Sequence, residues 1–196
     1  MLFDLLNQMA AGGNLQQLSK ALGSDEDTTG KAVSSALPLL LGALTRNASS
    51  SSGAESLENA LAKDHDGGIL DDIGSFLGSP ESGPGDGILQ HVLGGKRPTV
   101  EAAVSKSSGL DLNSVSKLLT MLAPLIMGGL GRVRQQEGLD AGGLSSLLQG
   151  GMRQAERQGA VPQGLLALLD ADSDGEVVDD LANLGKGLLG NLFGSK

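Results

Sequence analysis

Residues 18–46 read LSKALGSDEDTTGKAVSSALPLLLGALTR, and residues 104–132 read VSKSSGLDLNSVSKLLTMLAPLIMGGLGR. Ser19 pairs with Ser105, Gly23 with Gly109, Pro38 with Pro124 and Arg46 with Arg132, all at one offset (105 − 19 = 86). A constant offset over such a stretch points to a duplicated supersecondary unit. Within the first copy Val33, Ala36, Leu37, Leu40, Leu41 and Leu44 fall at i, i+3, i+4, i+7, i+8 and i+11, one apolar stripe of a 3.6-residue helix. Adding the offset gives Leu119, Leu122, Ala123, Ile126, Met127 and Leu130, so the second copy keeps the same stripe.

The flanks of these helices read as helix, glycine stop, capped helix. Gly23 and Gly109 suit the position just past a helix end, and Asp25 and Asp111 are N-cap candidates. Pro38 and Pro124 each remove one backbone donor and predict a kink at matching places. Gly42 and Gly128, one turn later, leave room for another helix to approach. Residues 1–10 predict a short amphipathic helix broken by Gly12 and Gly13, and Leu181, Leu184, Leu188, Leu189 and Leu192 predict a closing one. Asn47–Ser56 reads as a flexible connector and Ser79–Gly87 as the boundary between copies. The second copy is longer, and the excess falls in LDAGGLSSLLQGGMRQAERQ, a short helix bounded by glycine pairs.

Composition agrees with an all-α fold. Of 196 residues 31 are Gly, only three are aromatic (Phe3, Phe76, Phe193), and none is Tyr or Trp, so the core is built from Leu, Ala, Val, Ile and Met. The expected architecture is a compact multi-helix bundle of two pseudo-repeated units, 1–86 and 87–196, standing as two domains or fused into one. Net charge of −9 and the lack of stacking aromatics argue against nucleic acid. The start MLFDLLNQMA has no basic n-region, and the longest apolar run, about thirteen residues around Leu118–Leu130, falls short of a membrane span, so no transmembrane segment and a cytoplasmic location are expected.

Two acidic loops carry the chemistry on offer. In the second, Asp170, Asp172 and Asp174 occupy positions one, three and five of an EF-hand loop, Gly175 the turning sixth, and Glu176 the carbonyl-donating seventh. Hard oxygens converging in this way suit Ca²⁺. Position twelve is Leu181 instead of the bidentate Glu, which leaves Asp179 and Asp180 as the nearest acids and Asp180 as the substitute ligand. The first loop, Ala62–Ile73, keeps Asp66-Gly67 and the pair Asp71-Asp72, offset by 108 from its counterpart (174 − 66), but has lost the first ligand. The same Asp-X-Asp-Gly pattern makes an Asx turn that caps a following helix, so ion site and helix cap stand side by side. His65, alone beside the aspartates of the first loop, reads as a solvated residue rather than a zinc ligand, and His91, with no partner acid or histidine at ligand spacing, as part of a helix surface.

Catalytic patterns are incomplete. Ser114-Val115-Ser116-Lys117 lacks the companion motifs of penicillin-recognising enzymes, and Thr28-Thr29-Gly30-Lys31 lacks the glycine frame of a phosphate loop. A non-catalytic structural or interaction module is expected, with a protein partner or a second copy as its target. The apolar ends (Leu2, Phe3, Leu6 and Leu188, Leu192, Phe193) are candidate contact surfaces or core covers.

Leu89–Gly95 (LQHVLGG), Ser108–Asp111 (SGLD) and Leu118–Gly131 (LLTMLAPLIMGGLG), with the Asp-X-Asp-Gly loop, resemble the YidB-like family of uncharacterised bacterial proteins. The likeness is firmest over 87–132 and weaker over 18–78. It implies a compact, all-helical bacterial domain, and it brings no catalytic residues with it.

Overall fold

The computed structural model describes residues 2–78 and 84–160. Every regular element among them is helical. Helix α1 (Leu2–Met9) is followed by α2 (Gly13–Leu22), α3 (Glu26–Asn47) and α4 (Ser51–Lys63). A 3-10 turn at Gly68–Asp72 leads into α5 (Ile73–Gly78); then come α6 (Gly85–Leu93), a second 3-10 turn at Gly94–Lys96, α7 (Arg97–Ser108), α8 (Leu112–Glu137) and α9 (Ala141–Arg157).

The helix boundaries follow from local chemistry. Gly23 (φ 66°) ends α2 and Gly109 (φ 84°) ends α7, both in the left-handed region that glycine enters without a Cβ penalty. Asp25 then accepts a hydrogen bond from the Thr28 amide at 2.8 Å, and Asp111 accepts one from the Ser114 amide at 3.1 Å, satisfying a donor that each helix start leaves open. These bonds hold both carboxyl groups below their ordinary value; at Asp25 the Thr28 amide is the main cause, and at Asp111 the Ser114 hydroxyl.

The connector expected at Asn47–Ser56 is instead mostly helix, because Ser50 caps α4 by accepting from the Gly53 amide at 3.1 Å. The glycine pairs expected to bound α9 lie inside it; Asp140 caps that helix through the Gly143 amide at 2.8 Å. Both α3 and α8 run uninterrupted through Pro38 and Pro124. Pro124 leaves the Thr120 carbonyl without its helical donor. Gly85 fills the gap: a Cβ there would stand 2.1 Å from that oxygen, so only a glycine brings α6 this close.

The two long helices are the axis of the core. Helices α7 and α9, from the second half of the chain, pack on α3; α4, α6 and the 3-10 turn at 68–72 pack on α8. The halves therefore interleave, and their buried side chains form one cluster. Leu18, Leu41, Leu118 and Leu119 are fully enclosed, each worth about 1.5–3 kcal/mol on burial. Helix α8 extends well past the apolar run read from sequence, and at 26 residues it is long and apolar enough to cross a membrane. In this fold 78% of its apolar stretch is buried by its neighbours.

Leu2, Phe3 and Leu6 are buried, so α1 covers the core. Its outer edge is tied to α9 by Asp4, which accepts from Gln154 at 2.5 Å and Gln158 at 3.1 Å. Hydrogen bonds from Gln158 and then Gln154 hold the Asp4 carboxyl at about 2. The other proposed end, Leu188, Leu192 and Phe193, lies outside the described residues.

Candidate functional site

Asp66, Asp71 and Asp72 follow α4 within one short stretch, and each carboxylate has its own partner. Asp66 accepts from the Gly68 amide at 2.9 Å, an Asx turn. Gly67 adopts φ 98°, and its carbonyl receives the Leu70 amide at 3.0 Å to start the 3-10 turn. Asp72 accepts from the Ser75 amide at 2.9 Å and so caps α5. Two of the three carboxylates are thus engaged by the loop's own backbone.

The loop is seated on a bare strip of α8. A Cβ at Gly131 would lie 1.7 Å from the His65 carbonyl oxygen, and one at Gly128 would lie 2.4 Å from the Ile69 Cγ2. The glycine expected to admit a helix admits this loop instead. From the next position Arg132 donates to the Gly67 carbonyl at 2.8 Å and pairs with the Asp71 carboxylate. Gly67 is also packed by that arginine, whose Cβ would stand 2.9 Å from a Cβ added there. Two residues further along α8, Arg134 donates to Glu58 at 3.1 Å and ties α4 to the same helix. Asp71 remains 75% exposed, so its ion pair is worth at most about 1 kcal/mol, and close packing on glycine carries most of the seat.

His65 is half-buried in this seat, where a solvated ring was expected. Burial holds its imidazole below the ordinary 6.5, against the smaller upward pull of Asp64. The folded loop favours the neutral ring, so that contribution to stability is full above 6.5 and is lost progressively as pH falls below it. His65→Gln should therefore flatten the decline of Tm over mildly acid pH. An unchanged slope in thermal melts across that window would remove His65 as its source.

The remaining motifs make local contacts. Ser114 donates its hydroxyl to Asp111 at 2.7 Å, and Lys31 pairs with Asp27 at 2.6 Å beside a shallow groove between α3 and α7. His91 lies on the exposed face of α6, its Nδ1 2.8 Å from the Gly87 carbonyl. Arg97 bridges Asp86 at 2.9 Å, Glu101 at 2.8 Å and Ser116 at 3.0 Å, joining α6, α7 and α8. Among the described residues no group of three or more acids and histidines is placed to hold a metal ion. The expected Ca²⁺ ligands Asp170, Asp172, Asp174, Glu176 and Asp180 lie outside the described residues.

Residues 4–133 match the family model described as a bacterial protein of unknown function, DUF937. The chain belongs to this family. The match spans α1 through most of α8, and so includes both the acidic loop and the glycine strip beneath it. The YidB-like resemblance read from sequence is consistent with that membership. No curated protein and no solved structure matches the chain.

The loop is legible in the sequence and its seat on α8 is not. Gly131 and Arg132 were visible only as the end of a repeat. The available signal was glycine at i and i+3 on an otherwise bulky helix, ending in a cation.

Proposed function

We propose that this member of the DUF937 family is a non-catalytic helical module that works by protein contact. One observation carries the reading: the acidic loop, the chain's most chemically suggestive described motif, is spent on architecture. Its carboxylates cap backbone amides and engage Arg132, an arrangement that locks helices together. A surface for a partner is on offer where α8 begins, since Leu112 is 55% exposed.

Gel filtration of a cell extract should find the chain above monomer size, in a hetero-complex or with a second copy. Leu112→Asp should return it to monomer without lowering Tm. Elution of the natural chain as a monomer would overturn the proposal. The Ca²⁺ reading is tested separately by calorimetry on chelator-stripped protein. No saturable heat is expected up to roughly the 10⁻³ M range of weak extracellular sites. Saturable heat that is lost in Asp172→Ala/Asp174→Ala would replace the contact reading with an ion-dependent one.

A further inference from the structure

Helix α1 packs on elements far from it in sequence, α9 and α8. A Cβ added at Gly129 would stand 3.4 Å from the Leu6 Cδ2, and one at Gly151 would stand 3.1 Å from the Leu2 Cδ2. Those glycines lie 123 and 149 residues beyond the leucines that cover them (129 − 6; 151 − 2). The link from α1 to α2 is open by contrast. Ala11, Gly12 and Gly13 are exposed, and among the described residues nothing lies within 4 Å of a Cβ added at either glycine. We propose that α1 exchanges between two copies of the chain, each lending it to the α8–α9 seat of the other to close a symmetric dimer.

The hinge carries this inference. Gly12 bends the chain at φ 58° and ψ −131°, a conformation open to glycine and strained for a residue with a Cβ. Helix α2 begins there without a side-chain cap, and the Asn14 side-chain amide reaches back 2.8 Å to the Met9 carbonyl at the end of α1. When Gly12 turns helical, Leu2–Leu22 runs on as one helix. The first amides of α2 then take the last carbonyls of α1, so the open groups of two helix ends are satisfied together. Short bent hinges of this kind invite exchange. The straightened α1 stands clear of its own seat with Leu2, Phe3, Leu6 and Met9 uncovered, a costly state in water. A second copy offers these side chains the seat they already fit, with Gln154 and Gln158 for Asp4. Because the exchange is mutual, it closes at two chains.

Concentration and hinge chemistry set the balance. In the bent form α1 competes for its own seat at an effective concentration of about millimolar, as short linkers give, so the natural hinge exchanges near that concentration. Gly12→Ala penalises the bend and favours the straight helix, which moves the balance by about tenfold or more. Gly13 already lies in α2, so Gly13→Ala favours neither form.

The test uses the full chain carrying Leu112→Asp, which removes the contact proposed at the start of α8, so either proposal can fail without the other. Light scattering on the eluted chain should find Gly12→Ala dimeric and Gly13→Ala monomeric at the same concentration. The sequence contains no cysteine, so Asp4→Cys can be placed in one batch of Gly12→Ala and Gln158→Cys in another. Refolded together and treated with a short bismaleimide, the two thiols can meet only between chains. They should join about tenfold or more faster than Asp4→Cys joins Lys117→Cys, an exposed point elsewhere on α8, the advantage of a held over a colliding pair. Equal rates would overturn the proposal by placing the dimer contact elsewhere, and so would a monomeric Gly12→Ala. If that variant does not fold, the same two cysteines in the natural hinge, mixed at about millimolar, should give the same adduct. Its absence there would equally overturn the exchange.

Discussion

Gly131→Ala should lower the Tm of the chain, although alanine is the better helix former. In a helix interior the exchange of Gly for Ala ordinarily gains up to about 1 kcal/mol. Here the new Cβ would meet the His65 carbonyl oxygen at 1.7 Å. The obstructing atom is backbone, so no rotamer change relieves the clash, and overpacking of this kind costs about 1–3 kcal/mol. Lifting the loop also breaks the 2.8 Å bond from Arg132 to the Gly67 carbonyl, worth about 1 kcal/mol. The net loss is about 2 kcal/mol, or roughly 4–8 °C in Tm for a chain of this size. Limited trypsin digestion should show the same event as faster cleavage after Lys63. A melt that rises, with cleavage unchanged, would show that the loop does not need the bare strip.

What the sequence discloses depends on the range of the interaction. Glycine stops at Gly23 and Gly109 and caps at Asp25 and Asp111 are local, and the spacing of residues alone indicates them. The stripe from Val33 to Leu44 is likewise local and identifies a buried helix face. Asn47–Ser56 reads as a connector because serine runs favour connectors in isolation, whereas here Ser50 caps a helix that takes in the rest of the run. Long-range facts were hidden. That α7 and α9 serve α3, while α4 serves α8, depends on which of two similar helices each element selects, and periodicity does not encode that choice. The acidic loop shows the cost: its Asp spacing suits both an ion and a cap, and only the proximity of Gly131 and Arg132, more than sixty residues away, identifies it as a clasp.

The second large effect is expected at Gly85, where a proline elsewhere in the chain creates the need for a glycine. Pro124 has no N–H to give the Thr120 carbonyl, which would otherwise be closed off by the helix. The Gly85 Cα packs against that oxygen, so that an added Cβ would stand 2.1 Å from it and 2.7 Å from the Thr120 Cγ2. Gly85→Ala must therefore push the start of α6 off α8. That movement also strains the 2.9 Å pair between Asp86 and Arg97 and displaces Ile88 and Leu89 from the core. The expected loss is about 2 kcal/mol, of the size seen for other forced insertions against a fixed backbone. Gly87→Ala is the matching control, two residues along the same helix with open space around the site. There the change should stabilise by about 0.5–1 kcal/mol through helix propensity alone. Opposite signs in paired thermal melts would tie the effect to contact with Thr120. If both variants rose in Tm together, α6 would not need that close approach, and the freed carbonyl would have to find its partner in water.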